Sequence, residues 1–371
     1  MKKHHLSCAI LLLLLTVPAS AGARVLTDSN GRTNDVPDKV EHAICSGSGC
    51  LRLLTYLGAQ DRIAAVDDIE VRRRKFDARP YAIANPQFRK MPIFGEFRGH
   101  DNPELILTLE PQPQVIFKTY TSSMGYDPQE LQDKTGIPVV VLDYGDLGGN
   151  RPALYKSLRI MAKVMGREQR AEAVIRYMDG LIADLSRRTG DVPGQERSTV
   201  YLGGVAFRGP HGFQSTEPAY PPFQFVNAIN LAYEAGKAGK AGKSLSQSDI
   251  AKEKILEWNP NVLFLDLATL QLGDDAGGLF ELRTDPAYRM LSAVKEGRVY
   301  GVLPYNWYTQ NFGSILADAY FIGKVLHPER FADVDPAAKA DEIYTFLVGK
   351  PVFKEMNELF HGMAFQPIPV N

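Results

Sequence analysis

"NPELILTLEPQPQVIF" runs from Asn102 to Phe117, and "AKEKILEWNPNVLFL", from Ala251 to Leu265, repeats its plan. In each, an acidic residue (Glu104 or Glu253) opens a short helical stretch, Ile-Leu follows, and a turn bearing proline interrupts. An apolar run then reads as a buried strand. One helix–proline–strand unit arises easily by chance. Two of them at matching places imply two related lobes.

The surrounding texture agrees. Ile63–Val66, Val115–Phe117 and Val139–Leu142 are short apolar runs bounded by turn residues, as buried parallel strands are. Leu131 to Thr135 is helical and is stopped by Gly136 and Pro138. Thr199–Leu202, Val262–Leu265 and Arg298–Val302 repeat the strand pattern later in the chain. Between the two sets, Pro152 to Arg188 carries apolar residues at helical spacing over many turns, with a joint expected at Gly166-Arg167-Glu168. The fold class expected is α/β: two lobes with mainly parallel central sheets, joined by a long helical region, with a cleft between them. The boundaries expected are a leader over 1–23, an N-terminal lobe over 24–150, a linking region over 151–190 and a C-terminal lobe with a helical tail over 191–371.

The chain opens with Lys2 and Lys3, an apolar run from Leu6 to Val17, and small residues at 19–23. This is the layout of a secretory signal peptide cleaved near residues 21–23. The run is too short for a comfortable membrane span, which needs about 20 residues. Cys8 precedes the apolar core, which argues against a lipoprotein. Export leaves Cys45 and Cys50 in an oxidising compartment, where a pair is expected to form a disulfide worth about 2 kcal/mol. Free thiols or soft-metal ligands are the alternatives. The net charge of −1 implies no nucleic-acid partner.

Those cysteines bracket "CSGSGC", between a strand and a helix. The loop matches neither the dinucleotide fingerprint nor a nucleophile elbow. Its Ser46, Gly47, Ser48 and Gly49 would border a cleft and favour an anion there. "AGKAGKAGKS" (Ala235–Ser244) ends like a phosphate loop but has Lys237 where the first glycine is needed, and no strand precedes it. The histidines His42, His100, His211, His327 and His361 show no metal-ligand spacing, so the metal content stays unknown.

Ligands of open α/β sheets bind beyond the carboxyl ends of the strands. Loops expected there carry Arg98 and His100, Lys118 and Tyr120, Arg208 and His211, and Tyr305, Trp307 and Tyr308. The cations suit a carboxylate or oxyanion, and the aromatic residues suit a flat chelate. No nucleophile–base spacing supports an enzyme.

Taken together, these segments resemble periplasmic substrate-binding proteins of ABC importers, the class that carries ferric siderophores, haem and cobalamin. The carriers are the exported N-terminus, "ICSGSGCLRLLTYLGAQDRIAAVDD", "FGEFRGHDNPELILTLEPQPQVIF", "SLRIMAKVMGREQRAEAVIRYMDGLI", "FVNAINLA", "SQSDIAKEKILEWNPNVLFL" and "LSAVKEGRVYGV". The resemblance implies two lobes on a rigid helix, a periplasmic monomer and a ligand bound without a covalent cofactor. It also implies that Glu104 and Glu253 dock onto basic residues of an inner-membrane permease, although acids at helix starts also complement the helix dipole. The ligand expected is an anionic iron chelate such as a ferric siderophore. Cobalamin, haem, and molybdate or tungstate are the alternatives.

Overall fold

In a computed structural model the described residues are 22–72, 74–120, 125–233 and 247–370. The leader expected over 1–23 lies almost wholly outside them, as does the Ala-Gly-Lys segment. The chain opens with a hairpin, β1 (Ala23–Thr27) against β2 (Thr33–Pro37). There follow β3 (Ala43–Ser46), α1 (Cys50–Tyr56), β4 (Ile63–Asp67), β5 (Ile93–Glu96), β6 (His100–Asp101), α2 (Pro103–Leu107), β7 (Val115–Thr119), α3 (Pro128–Thr135) and β8 (Val139–Leu142). The strands form one six-stranded sheet in the order β6-β5-β4-β3-β7-β8, parallel except for β6. Its central strands β3 and β4 are buried along their length, which is why they read as continuous apolar runs rather than alternating ones. The hairpin closes the β8 edge: buried Asp28 accepts from the Val141 amide at 3.2 Å.

Two helices come next, α4 (Arg151–Met165) and α5 (Glu168–Thr189). The joint falls where the sequence places it, because Gly166 adopts φ +63°, a conformation that ends helices and suits glycine. The second sheet is built from β9 (Thr199–Gly203), β11 (Ile229–Asn230), β13 (Val262–Asp266) and β14 (Val299–Val302), all parallel, in the order β11-β9-β13-β14. A small antiparallel pair, β10 (Ser215–Thr216) with β12 (Ser248–Asp249), precedes α6 (Lys252–Trp258). The two repeated segments of the sequence therefore become α2–β7 and α6–β13, equivalent units in two lobes.

The tail is not an appendage of the second lobe alone. It contains α7 (Phe312–Leu326), α8 (Pro336–Val348) and α9 (Phe353–Leu359). The rings of Phe76 and Phe360 stack at 5.5 Å, bringing the end of the chain onto the first lobe. Ala364 bridges to Gly301 beside β14 of the second lobe. Arg170 of α5 donates to the Tyr56 carbonyl at 2.8 Å and also to the Phe346 carbonyl of α8. Linking helix, first lobe and tail are thus cross-tied.

Candidate functional site

The loops at the carboxyl ends of β3, β5, β7 and β8 meet those after β9 and β14 across a cleft. Two adjoining cavities occupy it. One of about 280 Å³ is lined by residues including Ser48, Arg74, Phe97, Arg98, Arg208 and Trp307. The other, of about 640 Å³, adds Thr119, Tyr120, Tyr144 and Phe207. Ser48, Arg98, Arg208, Asn306 and Thr309 line both. Arg98 is half-buried and Arg208 exposed, and neither has an ion-pair partner among the described residues. Each guanidinium instead lies over a neighbouring ring, Phe97 at 5.0 Å and Phe207 at 5.5 Å. Arg74, also exposed, has no such partner either, so unpaired guanidiniums line the cleft from both lobes: Arg74 and Arg98 from the first, Arg208 from the second.

The floor is a different environment. Lys118 is fully buried and forms an ion pair with Asp101, while its ammonium also donates to Ser46 Oγ at 3.0 Å and to the Gly99 carbonyl at 2.9 Å. A buried cation requires such compensation. Lys118 and Ser46 are structural ties, not the ligand contacts expected of them. Tyr305 is likewise withdrawn: it is 1 % exposed and its hydroxyl donates to Glu217. His100 lies on β6 beside a separate cavity with Asp68 and Glu96. His211 Nε2 is 2.7 Å from the Phe207 carbonyl and does not line the cleft. No group of three or more metal-ligating side chains assembles among the described residues.

Within the serine-glycine loop only Ser48 lines the cleft. Gly47 and Gly49 have φ of +85° and +80°, and a Cβ on either would fall 2.3 Å from the Thr119 carbonyl oxygen or 2.2 Å from the Tyr144 ring. They are glycines because neighbouring chain passes that close. The Cys50 amide is spent on the Gly47 carbonyl at 3.2 Å. The disulfide expected between Cys45 and Cys50 is absent: both are buried free thiols. Burial first, then the hydrogen bond with Cys50, pushes the Cys45 thiol well above its ordinary range. This disfavours the thiolate through which disulfides form.

The segment 304–311 crosses the cleft. Arg52 of α1, wholly buried, donates to the carbonyls of Trp307 (3.1 Å), Tyr308 (3.2 Å) and Gln310 (2.6 Å) and to the Tyr144 hydroxyl. Trp307 is 6 % exposed, so little of its ring is open to the cleft. Sequence reasoning missed Arg52, Arg74, Asn306, Thr309 and Tyr144. Asn306 and Thr309 stand in the same loop as Tyr305, Trp307 and Tyr308. Arg52 carried no signal, since an arginine within a helical run reads as surface.

A family described as periplasmic binding protein matches residues 44–305. The chain belongs to the periplasmic binding protein family. It is a solute-binding protein of the ABC-transporter type rather than an enzyme. The molybdate-binding protein MolA of Haemophilus influenzae is 24% identical over 368 residues, covering 93% of this chain and 96% of that one. Its molybdate-bound structure has a TM-score of 0.65 at 20% identity, over 88% of this chain and 98% of the other. A periplasmic solute-binding protein from Veillonella parvula reaches 0.68 at 17% identity, over 94% and 100%. The petrobactin-binding protein YclQ of Bacillus subtilis reaches 0.58 at 14%, over 82% and 99%. The proteins this chain is similar to are thus named for molybdate in one case and for petrobactin in another.

Proposed function

We propose that this protein is the exported substrate-binding component of an ABC importer and that it captures a small tetrahedral oxyanion, of the molybdate or tungstate kind, between its lobes. The observation that carries this reading is the unpaired guanidiniums, Arg98 and Arg74 from one lobe and Arg208 from the other, lining one cleft together with Ser48, Asn306 and Thr309. Guanidinium forks and neutral donors suit an oxyanion. The narrower cavity, about 280 Å³, lies just below the range usual for small-molecule pockets, roughly 300–1,000 Å³. The aromatic residues that had argued for a flat chelate are largely engaged elsewhere: Tyr305 with Glu217, Tyr308 with Asp67, and Trp307 in the core. The molybdate named for the Haemophilus relative supports the same reading.

The second reading is an iron chelate such as a ferric siderophore, favoured by the wider cavity with Tyr120, Tyr144 and Phe207. Titration decides between them. The two tryptophans are Trp258 and Trp307, and W258F leaves Trp307, at the cleft, as the reporter. Saturable fluorescence change with molybdate or tungstate, and none with ferric chelates, haem or cobalamin, is expected. A response to a ferric chelate alone overturns the oxyanion reading.

Delivery to a permease would use Glu104 and Glu253, both exposed at the first turns of α2 and α6. The E104K/E253K variant is expected to abolish uptake and leave affinity unchanged. A loss of affinity would count against docking as their role.

A further inference from the structure

Tyr308 lines the cleft, yet its hydroxyl is fully committed. It accepts the Arg98 amide at 3.0 Å and donates to Asp67 Oδ2 at the end of β4. A phenol has one proton to give, so this one is spent before any ligand arrives. The bond joins residues 241 apart in sequence, from opposite lobes.

Arg98 needs the help. Its φ is +64°, and Tyr308 and Thr309 facing it are at +51° and +64°. Residues without glycine's freedom persist there only where the surroundings over-determine them. The next residue, Gly99, is fixed from below, its carbonyl accepting from Lys118 Nζ at 2.9 Å and from the Tyr126 amide at 2.7 Å. Among the described residues, the hydrogen bond that reaches the Arg98 amide from across the cleft is that of the Tyr308 hydroxyl. Tyr308 is itself registered against the first lobe by Arg52, which holds the carbonyls of Trp307 and Tyr308. The Phe97 ring lies 6.2 Å from Tyr308 on one side and beneath the Arg98 guanidinium on the other.

We infer that Tyr308 is a positioning residue: reaching Arg98 from the segment after β14 and braced by Asp67, it locks the backbone of Arg98 so that the Arg98 guanidinium faces the anion. The affinity part of this inference rests on the oxyanion reading; the backbone part does not.

The test has two arms on the full chain. The first is hydrogen exchange at the Arg98 amide without ligand, and the second is a calorimetric titration with molybdate. Y308F removes both hydrogen bonds while keeping the ring. It is expected to speed Arg98 exchange at least about tenfold and to weaken molybdate about tenfold. D67N keeps a carbonyl acceptor for the phenol and is expected to sit nearer to wild type than D67A in both arms. Such a rescue would not accompany a simple packing defect. Unchanged Arg98 exchange in Y308F overturns the inference, as does an equal effect of D67N and D67A. If wild type binds neither molybdate nor tungstate, the oxyanion reading fails and the exchange arm alone decides the role of Tyr308.

Discussion

The two lobes bury carboxylates by different means. In the first lobe the buried acids face cations: Glu70 and Asp77 pair with Arg79 at 2.9 and 2.8 Å, and Asp101 pairs with Lys118. In the second lobe Glu217, Asp266 and Asp318 are buried with no ion-pair partner among the described residues. Their partners are the hydroxyls of Tyr305 and Tyr220 and the amides of Ala268 and Leu303. Burial raises Glu217 and Asp266 to about 8, so both are mostly protonated at neutral pH. Asp67, at the seam, is raised to about 8 by burial and then by Glu70, although Tyr308 and Arg79 oppose the shift. The lesson concerns the cleft. In the first lobe the cations of the floor are consumed by its acids, and only those above it, such as Arg98, remain for a ligand.

The largest effect that tests this contrast is at the buried ion pair. D101N leaves the buried Lys118 ammonium without its counter-ion, and should cost about 3–5 kcal/mol of stability in denaturant unfolding. E217Q in the second lobe replaces a group that is mostly neutral in the fold and leaves no buried charge unpaired, so it should not lower stability at pH 7. Equal costs would erase the distinction between the lobes.

Next come the free guanidiniums. R98Q and R208Q should each weaken molybdate roughly 10- to 100-fold, the scale of a lost charge-assisted hydrogen bond, with little change in melting temperature. A loss from one lobe only would break the two-sided site. The third effect is on pH. Glu217 and Asp266 hold protons more tightly folded than unfolded, where carboxyls titrate near 4. Their contribution is complete below about pH 4, falls as pH rises and is lost above about 8. The E217Q/D266N variant should flatten the decline of the urea midpoint between pH 5 and 8. An unaltered slope would mean that these acids are ionised in the fold. The smallest effect is at the exposed acids: E104Q or E253Q removes a charge from a helix start and should cost about 0.3–1 kcal/mol at low salt.

Much of the architecture was legible beforehand. The strands beginning at Ile63, Val115, Val139, Thr199 and Val262 appear within two residues of their expected limits, and the joint at Gly166 is where it was placed. Of the site, Arg98, Arg208, Ser48, Tyr120, Trp307 and Tyr308 do line the cleft. Lys118, Tyr305, Ser46 and the two histidines do not, and Arg52 was invisible. All of these are polar or aromatic residues in or near loops, with nothing in their flanking sequence to sort them.

By itself, then, the sequence determined what depends on near neighbours: strand and helix periods, turn positions, and the repeated unit that makes two lobes. Backbone conformation and burial of one face are decided over a few residues, so they leave a local trace. Only the tertiary structure decided which cation is free and which is spent. That depends on carboxylates and carbonyls brought from elsewhere in the chain, Asp101 to Lys118 and Trp307 to Arg52. A buried charge is tolerated only where such partners converge.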